Sequence, residues 1–266
     1  MPMLNEERVI LNHYRRVAQT HGASSCSTMK DPYIREAEIQ FFIKEIQRYK
    51  SDQQKDCIKI LDIGCGNGYL LGRLEQEFPN DDKFAIELTP EFAEIASARK
   101  LPRTSIINSD GRKLGEYFNN IDICITERVL INILHEKHRK ELVTGIKKVL
   151  VDNGVYLMSE SFCEGLRNLN RARKEMRLHK LSQSEQNRYL KEQELGDLLG
   201  SELVEIPGLT PKNFLSTHFY VTRVLHNLYR PEKSRLEGTE FVKFFDEGFG
   251  PAVGDYSPIN FRVFKK

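Results

Sequence analysis

Apolar positions from residue 57 onward fall into short runs separated by stretches with helical spacing. The first run, Cys57-Ile58-Lys59-Ile60-Leu61-Asp62-Ile63, ends in glycines and gives way to helical spacing through Phe78. A short apolar run bounded by turn residues predicts strand, tight loop and helix. The order repeats: strands over 83–87, 104–107 and 121–125 alternate with helices over 90–99 and after 107, and a helix over 135–150 leads into a fifth strand over 154–160. Such alternation predicts a parallel sheet covered by helices on both faces.

The flanks follow other rhythms. Residues 5–20 predict a polar helix, and the small, polar stretch 22–29 a flexible connection suited to a lid or arm. Asp31-Pro32 starts a helix over 31–49, where Ile34, Ala37, Ile39, Phe41, Phe42, Ile43 and Ile46 recur at three- and four-residue steps. Beyond Glu160 come a charged helical insert over 165–180 and apolar segments over 203–206 and 214–225. Within the latter, Ser216-Thr217-His218-Phe219-Tyr220 alternates and predicts a late strand, and 259–264 alternates with period two as a terminal strand. No internal repeat is visible.

A length of 266 residues suits one domain with elaborated ends: an amino-terminal arm over 1–50, a ligand-binding core over 55–160 and a substrate-side region over 161–266. With 39% hydrophobic and 29% charged residues the chain should fold, and a formal net charge of +2 gives no strong nucleic-acid signal. No apolar run reaches the length of a membrane span, and Met1-Pro2-Met3-Leu4-Asn5-Glu6-Glu7-Arg8 lacks the order of a secretory signal. Cys26, Cys57, Cys65, Cys124 and Cys163 are odd in number and widely spaced, which predicts reduced thiols in a cytoplasmic protein and no metal site.

In a doubly wound sheet the ligand crevice lies beyond the carboxyl ends of the strands, so the loop after the first strand is where a nucleotide docks. Gly64, Gly66 and Gly68 allow close backbone approach and positive φ there. A dinucleotide fingerprint starting at Gly64 needs glycine at position 69, which is Tyr69, and a phosphate-binding P-loop needs a Gly-Lys-Ser/Thr ending that is absent.

Leu61-Asp62-Ile63-Gly64-Cys65-Gly66-Asn67-Gly68 instead resembles motif I of class I methyltransferases that use S-adenosylmethionine (SAM). The resemblance implies a doubly wound, mostly parallel seven-stranded α/β sheet with helices on both faces, an amino-terminal helical arm and a helical insert after the fifth strand. It implies SAM as cofactor and S-adenosylhomocysteine (SAH) as product. Gly64, Cys65, Gly66 and Asn67 would wrap the methionine moiety, with Asp62 positioning its ammonium group. Glu87, nineteen residues after Gly68, would accept from the ribose hydroxyls beside Leu88. Asp110 and Gly111 would meet the adenine, and Glu127 stands at the exit of the fourth strand. Ser27-Thr28-Met29-Lys30-Asp31, followed by Arg35 and Glu38, resembles the segment that covers the cofactor in some bacterial small-molecule methyltransferases, with Tyr14, Met29 and Arg35 lining the cover.

Simpler roles stand beside these. Asp62 and Glu87 can cap helices, Asp110 can be a turn residue, and Cys65 can serve as a small apolar group. His135 and His138, near the start of a helix, suit capping and solvent exposure. The insert, with Arg167, Arg171, Arg173, Lys174, Arg177 and Lys180, can be a solvated amphipathic helix with a Leu166, Leu169, Ala172, Met176 stripe, or it can bind an acceptor's phosphate or carboxylate.

For the acceptor side, Glu160 and His218 are the candidate bases, and Arg128, Asn132, Asn168, Asn170, Arg171 and Tyr220 the candidates for orienting a polar substrate. The leading reading is O-methylation of a polar small molecule, such as a sugar or a phosphorylated or carboxylated intermediate. The alternatives are a protein or RNA methyltransferase and a SAM-binding partner protein without turnover.

Overall fold

The computed structural model describes residues 5–24, 27–229 and 239–266; Cys26 and the first four residues, used in the reading above, lie outside them. Helices α1 (Asn5–His21) and α2 (Pro32–Gln53) precede the sheet. There follow β1 (Lys59–Ile63), α3 (Tyr69–Glu77), β2 (Asp82–Glu87), α4 (Pro90–Ser97), β3 (Thr104–Asn108), α5 (Leu114–Tyr117), β4 (Ile121–Glu127), α6 (Glu136–Val149) and β5 (Leu150–Ser161). The remainder is α7 (Cys163–Glu175), α8 (Glu192–Leu199), β6 (Val204–Ile206), α9 (Ser216–Tyr220), α10 (His226–Tyr229), α11 (Glu240–Gly248) and β7 (Ile259–Lys265). Asp31 caps α2 as its sequence position predicts, its side chain accepting from the amides of Tyr33 and Ile34, with Pro32 in the first turn.

The seven strands run in the order β3-β2-β1-β4-β5-β7-β6. Pairings from β3 to β5 are parallel, and β7 is antiparallel to both β5 and β6. Strand order reverses between β1 and β4, which opens a crevice at their carboxyl ends.

Alternate residues of each strand feed opposite layers. Ile60, Ile123 and Leu157 face α2, α3, α7 and α9, and Leu61, Cys124 and Tyr156 face α5, α6 and α8. Phe41, Phe42, Ile39 and Ile46 of α2 are fully buried. Each such side chain contributes roughly 1.5–3 kcal/mol by burial, which seats the arm firmly on the sheet. Among the described residues no helix is long and apolar enough to cross a membrane.

Two expectations are corrected. The late strand around His218 is helical: α9 continues through a π-helical turn, Val221–Leu225, into α10. Leu215, Phe219, Thr222 and His226 are buried at helical spacing, and a helix buried on several sides produces short alternations that imitate a strand. The insert helix α7 ends at Glu175, short of the expected 180; Arg177 has left-handed backbone and Met176 is exposed, so it leaves the predicted apolar stripe.

Candidate functional site

One cavity occupies the crevice beyond β1, β2 and β4. Tyr14, Arg35, Asp62, Gly64, Cys65, Gly66, Asn67, Glu87, Leu88, Asp110, Gly111, Glu127, Arg128 and Asn132 all line it. Met29 does not; it packs against the α2 layer, and Thr28 faces the cavity instead.

The loop after β1 is shaped by glycine where other residues would not fit. Gly64 has φ +73°, and a β-carbon there would lie 2.8 Å from Val129 Cγ2. The Gly64 amide donates to the Ile86 carbonyl at 2.7 Å, and the Gly66 amide to Glu87 Oε2 at 2.9 Å. Glu87 also accepts from the Thr89 amide at 2.8 Å. A single carboxylate therefore ties the loop to the end of β2 while lining the cavity, and its remaining lone pairs can accept from ligand hydroxyls.

Asp62 is 2% exposed and its Oδ2 has no hydrogen-bond partner. Burial, then the neighbouring Glu127 and Glu87, push its carboxyl well above the usual range. An unpaired buried carboxylate beside two others is costly unless a cation joins it. At the far end of the cavity Asp110 caps the short 3-10 turn Gly111–Lys113 by accepting from the Arg112 amide at 2.9 Å. Burial works to raise its carboxyl, yet the Arg112 hydrogen bonds hold it below the usual range. His138 acts electrostatically on Asp110, and its ring lies 5.4 Å from that of His135.

Helix α1 forms the outer wall through Ile10, Leu11 and Tyr14. Tyr14 packs against Phe92 with ring centroids 6.4 Å apart, and Arg15 pairs with Glu91 at 3.3 Å. Asn67 of the glycine loop donates to the carbonyls of Gly22 at 3.0 Å and Ser24 at 2.9 Å. Arg99 donates to the Asn67 carbonyl at 2.7 Å and to that of Ala23 at 3.0 Å. The apolar wall of Ile10, Leu11, Phe92, Ile133 and Leu134 escaped the sequence reading, although Ile10, Tyr14 and Ala18 recur every four residues along the helix read as polar.

At the exit of β4 a network of charges closes the inner end. Glu127 accepts from Arg35 at 3.3 Å and from Arg128 at 2.8 Å, and Arg128 also donates to Glu38 of α2. Ser159 donates to Glu38 at 2.8 Å, and Arg35 to Thr28 at 2.8 Å. Arg128 adopts left-handed backbone with φ +58°, its amide donating to the Ser159 carbonyl at 2.8 Å. Burial pushes the Glu38 carboxyl up to about 7, opposed by Arg128. Burial also works to raise Glu127, but Arg128 and Arg35 hold it below the usual range. The Tyr14 phenol is pushed up to about 12 by burial, against Arg128 and a hydrogen bond with Asn132.

The other substrate and base candidates lie elsewhere. Glu160 is fully buried and outside the cavity lining; its carboxylate accepts from the amides of Val129 at 2.8 Å, Leu130 at 2.9 Å and Ile131 at 3.3 Å. Burial raises it to about 7 against those amides. It shapes the turn that presents Asn132 and Ile133. His218 lies between Asp31, 2.9 Å from Nε2, and Asp246, 3.0 Å from Nδ1, with its ring stacked on Tyr33. Burial lowers its basicity, but its hydrogen bonds to the Asp246 and Asp31 carboxylates outweigh that and raise it.

Asn168 donates to the Asp255 carbonyl at 2.9 Å, and Arg171 to Asn168 at 2.7 Å. Asn170 both donates to and accepts from the backbone of Leu181, at 2.9 and 2.8 Å. Tyr220 packs on Tyr256, ring centroids 4.8 Å apart. None of these four lines the cavity.

Comparisons with known proteins bear on the same region. Residues 60–154 match the family model described as a methyltransferase domain. No curated protein matches the sequence. Among solved structures the chain is similar to the YcgJ protein from Bacillus subtilis, with 13% identity, 87% of this chain and 98% of that one covered, and a TM-score of 0.52. It is also similar to the cyclopropane synthase MmaA2 from Mycobacterium tuberculosis, with 11% identity, 79% and 78% covered, and a TM-score of 0.50. A third similarity is to a TehB-like SAM-dependent methyltransferase from Corynebacterium glutamicum, at 15% identity, 79% and 80% covered, and a TM-score of 0.47.

Proposed function

We propose that the chain is a class I SAM-dependent methyltransferase and that it methylates an oxygen of a small polar acceptor that is already anionic, a carboxylated or phosphorylated metabolite. The observation that carries this reading is the cavity wall at the exit of β4, where Arg35 Nε is buried without a partner and Arg128 stands beside it. Guanidinium groups suit carboxylate and phosphate oxygens, and a helix across the cleft favours a small acceptor over a macromolecule.

The residues present fit the cofactor. Asp62, Glu87 and Glu127 gather three carboxylates around the glycine loop, and the unpartnered Asp62 Oδ2 suits an ammonium group. Glu87 and Asp110 would hold the ribose and adenine, between Leu88, Ile86 and Leu142. When bound, SAM supplies an activated methyl group on a positively charged sulfur.

The chain's own part is to orient the acceptor and exclude water. Ile10, Leu11, Phe92 and Leu134 exclude solvent from the outer wall. Arg128 and Asn132 would orient the acceptor's oxygen. Proton removal makes a small demand on this site. Glu127 is held in its weakly basic, ionised state by two guanidiniums, and the Tyr14 phenol, at about 12, keeps its proton at neutral pH. His135 and His138 sit toward the Asp110 end. An ionised oxygen needs no base, whereas a neutral alcohol does.

A screen with methyl-labelled SAM tests the reading, using carboxylated and phosphorylated metabolites against neutral sugars, amines, RNA and protein. Label entering an anionic oxygen is expected, and label entering only amines or macromolecules would overturn it.

A further inference from the structure

Glu38 belongs to neither the glycine loop nor the cavity lining, yet it is wholly buried on α2 with a defined set of partners. One carboxylate oxygen accepts from Ser159 at 2.8 Å and the other from Arg128. Arg35, from its own helix, and Glu127 are its other charged neighbours. A glutamate on a helix whose buried side chains are otherwise mostly apolar, Arg35 and Glu45 apart, is costly to bury, and packing does not explain it.

Its place in the charge balance does. Arg128 is drawn toward two carboxylates, Glu38 behind the cavity and Glu127 at its wall. Glu127 is shared in turn between Arg128 and Arg35, and it lies close enough to Asp62 to raise that carboxyl. With Glu38 in place, Arg128 is neutralised from the side away from the ligand, and Glu127 keeps negative potential for the methionine end of the cleft. Without Glu38, Glu127 is left as the carboxylate shared by both Arg128 and Arg35, and a buried guanidinium stands unbalanced near the cationic donor.

We propose that Glu38 is a positioning residue that sets the charge at the methionine end of the cleft, so that the site favours the cationic donor SAM over the uncharged thioether of the product SAH. SAM and SAH share the same nucleoside and amino-acid portions and differ by the methyl group and the charge it confers on sulfur. A difference in their affinities therefore isolates the field at that atom, and a defect in folding or cleft shape moves both together.

The proposal rests on SAM being the cofactor, and calorimetric titration of the full chain with SAM and with SAH separates the two claims. Failure of both ligands to bind would overturn the cofactor assignment itself. With binding intact, Glu38→Gln keeps the shape and can still accept from Ser159, and it is expected to weaken SAM on the order of tenfold more than SAH, as one uncompensated charge in a partly screened site should. A SAM-to-SAH affinity ratio equal to that of the unaltered chain would overturn the proposal. The double variant Glu38→Gln/Arg128→Gln removes both charges together and is expected to restore most of the ratio; a ratio left at the single-variant level would equally overturn it. Glu38→Asp, which restores the charge on a shorter side chain, is expected to recover part of the selectivity, and no recovery would count against the charge argument.

Discussion

The polar side chains around the glycine loop and those of the region after β5 are similar in kind but differ in how their hydrogen-bonding capacity is used. On the loop side, Asp62 Oδ2 and Arg35 Nε are buried without partners at the wall of a cavity. After β5, Asn168, Asn170, Arg171 and His218 are engaged with other parts of the chain, and Arg173 donates to the carbonyls of His179 and Arg223. Buried unmet capacity also occurs after β5, at Glu164 Oε2 and Arg262 Nε, but outside this cavity; unmet capacity marks where a ligand belongs when it lines a cavity. The contrast locates the site better than residue type does.

The sharpest test is Asp62→Asn. Loss of the charge proposed to meet the ammonium group should weaken SAM by roughly 100-fold, the scale of one charge-assisted hydrogen bond in a buried site. The ligand-free protein should respond in the opposite sense. A carboxyl raised on folding binds its proton more tightly in the folded chain, so its favourable contribution is present at low pH and is lost as pH rises above the ordinary value of 3.8. Asp62→Asn should therefore raise the melting temperature at pH 7 and leave it nearly unchanged near pH 3.5. Unaltered SAM affinity in calorimetry would erase the contrast between the two regions.

Glu87→Ala comes next, with SAM weakened by about tenfold or more through loss of the acceptor proposed for the ribose. Because Glu87 also holds the Gly66 and Thr89 amides, this variant should lower the melting temperature too, unlike Asp62→Asn.

His218→Gln probes the other region. The His218 basicity is raised above its ordinary 6.5, so its contribution to stability is fully present below that pH and is lost as pH rises through the folded value. The variant should melt several degrees lower at pH 6, less so at pH 9, with SAM affinity unchanged at either pH. A catalytic role would instead appear as lost turnover with little change in melting. The smallest effect is expected for Asn168→Ala, a loss of roughly 1 kcal/mol of stability in urea unfolding with no change in cofactor affinity.

Much of the cofactor half was legible because local rules fix it. A strand ending in alternate glycines places Asp62 and the loop together, and spacing leads on to Glu87, whereas Asp110 was named through the resemblance. Tyr14 and Arg35 came from resemblance, and both reach the cavity. Glu160 and His218 were read as bases because the chain brings them near strand ends, but which way a carboxylate faces depends on amides thirty residues away, as with Val129 and Leu130. His218 shows the limit of short windows, since five alternating residues look alike on a buried helix and on a strand. Arg128 was named by its location and hydrogen-bonding capacity, and its tie to Glu38 joins residues ninety apart, a pairing that only the packing of α2 on the sheet creates.

The grip of Asn67 and Arg99 on the carbonyls of residues 22–24 bears on modularity. The stretch that matches a methyltransferase domain, 60–154, draws part of its loop's hydrogen bonding from residues outside it. Cut away from the arm, Asn67 loses both of its side chain's carbonyl acceptors and Arg99 one of its own, so the loop would travel without part of what fixes its shape.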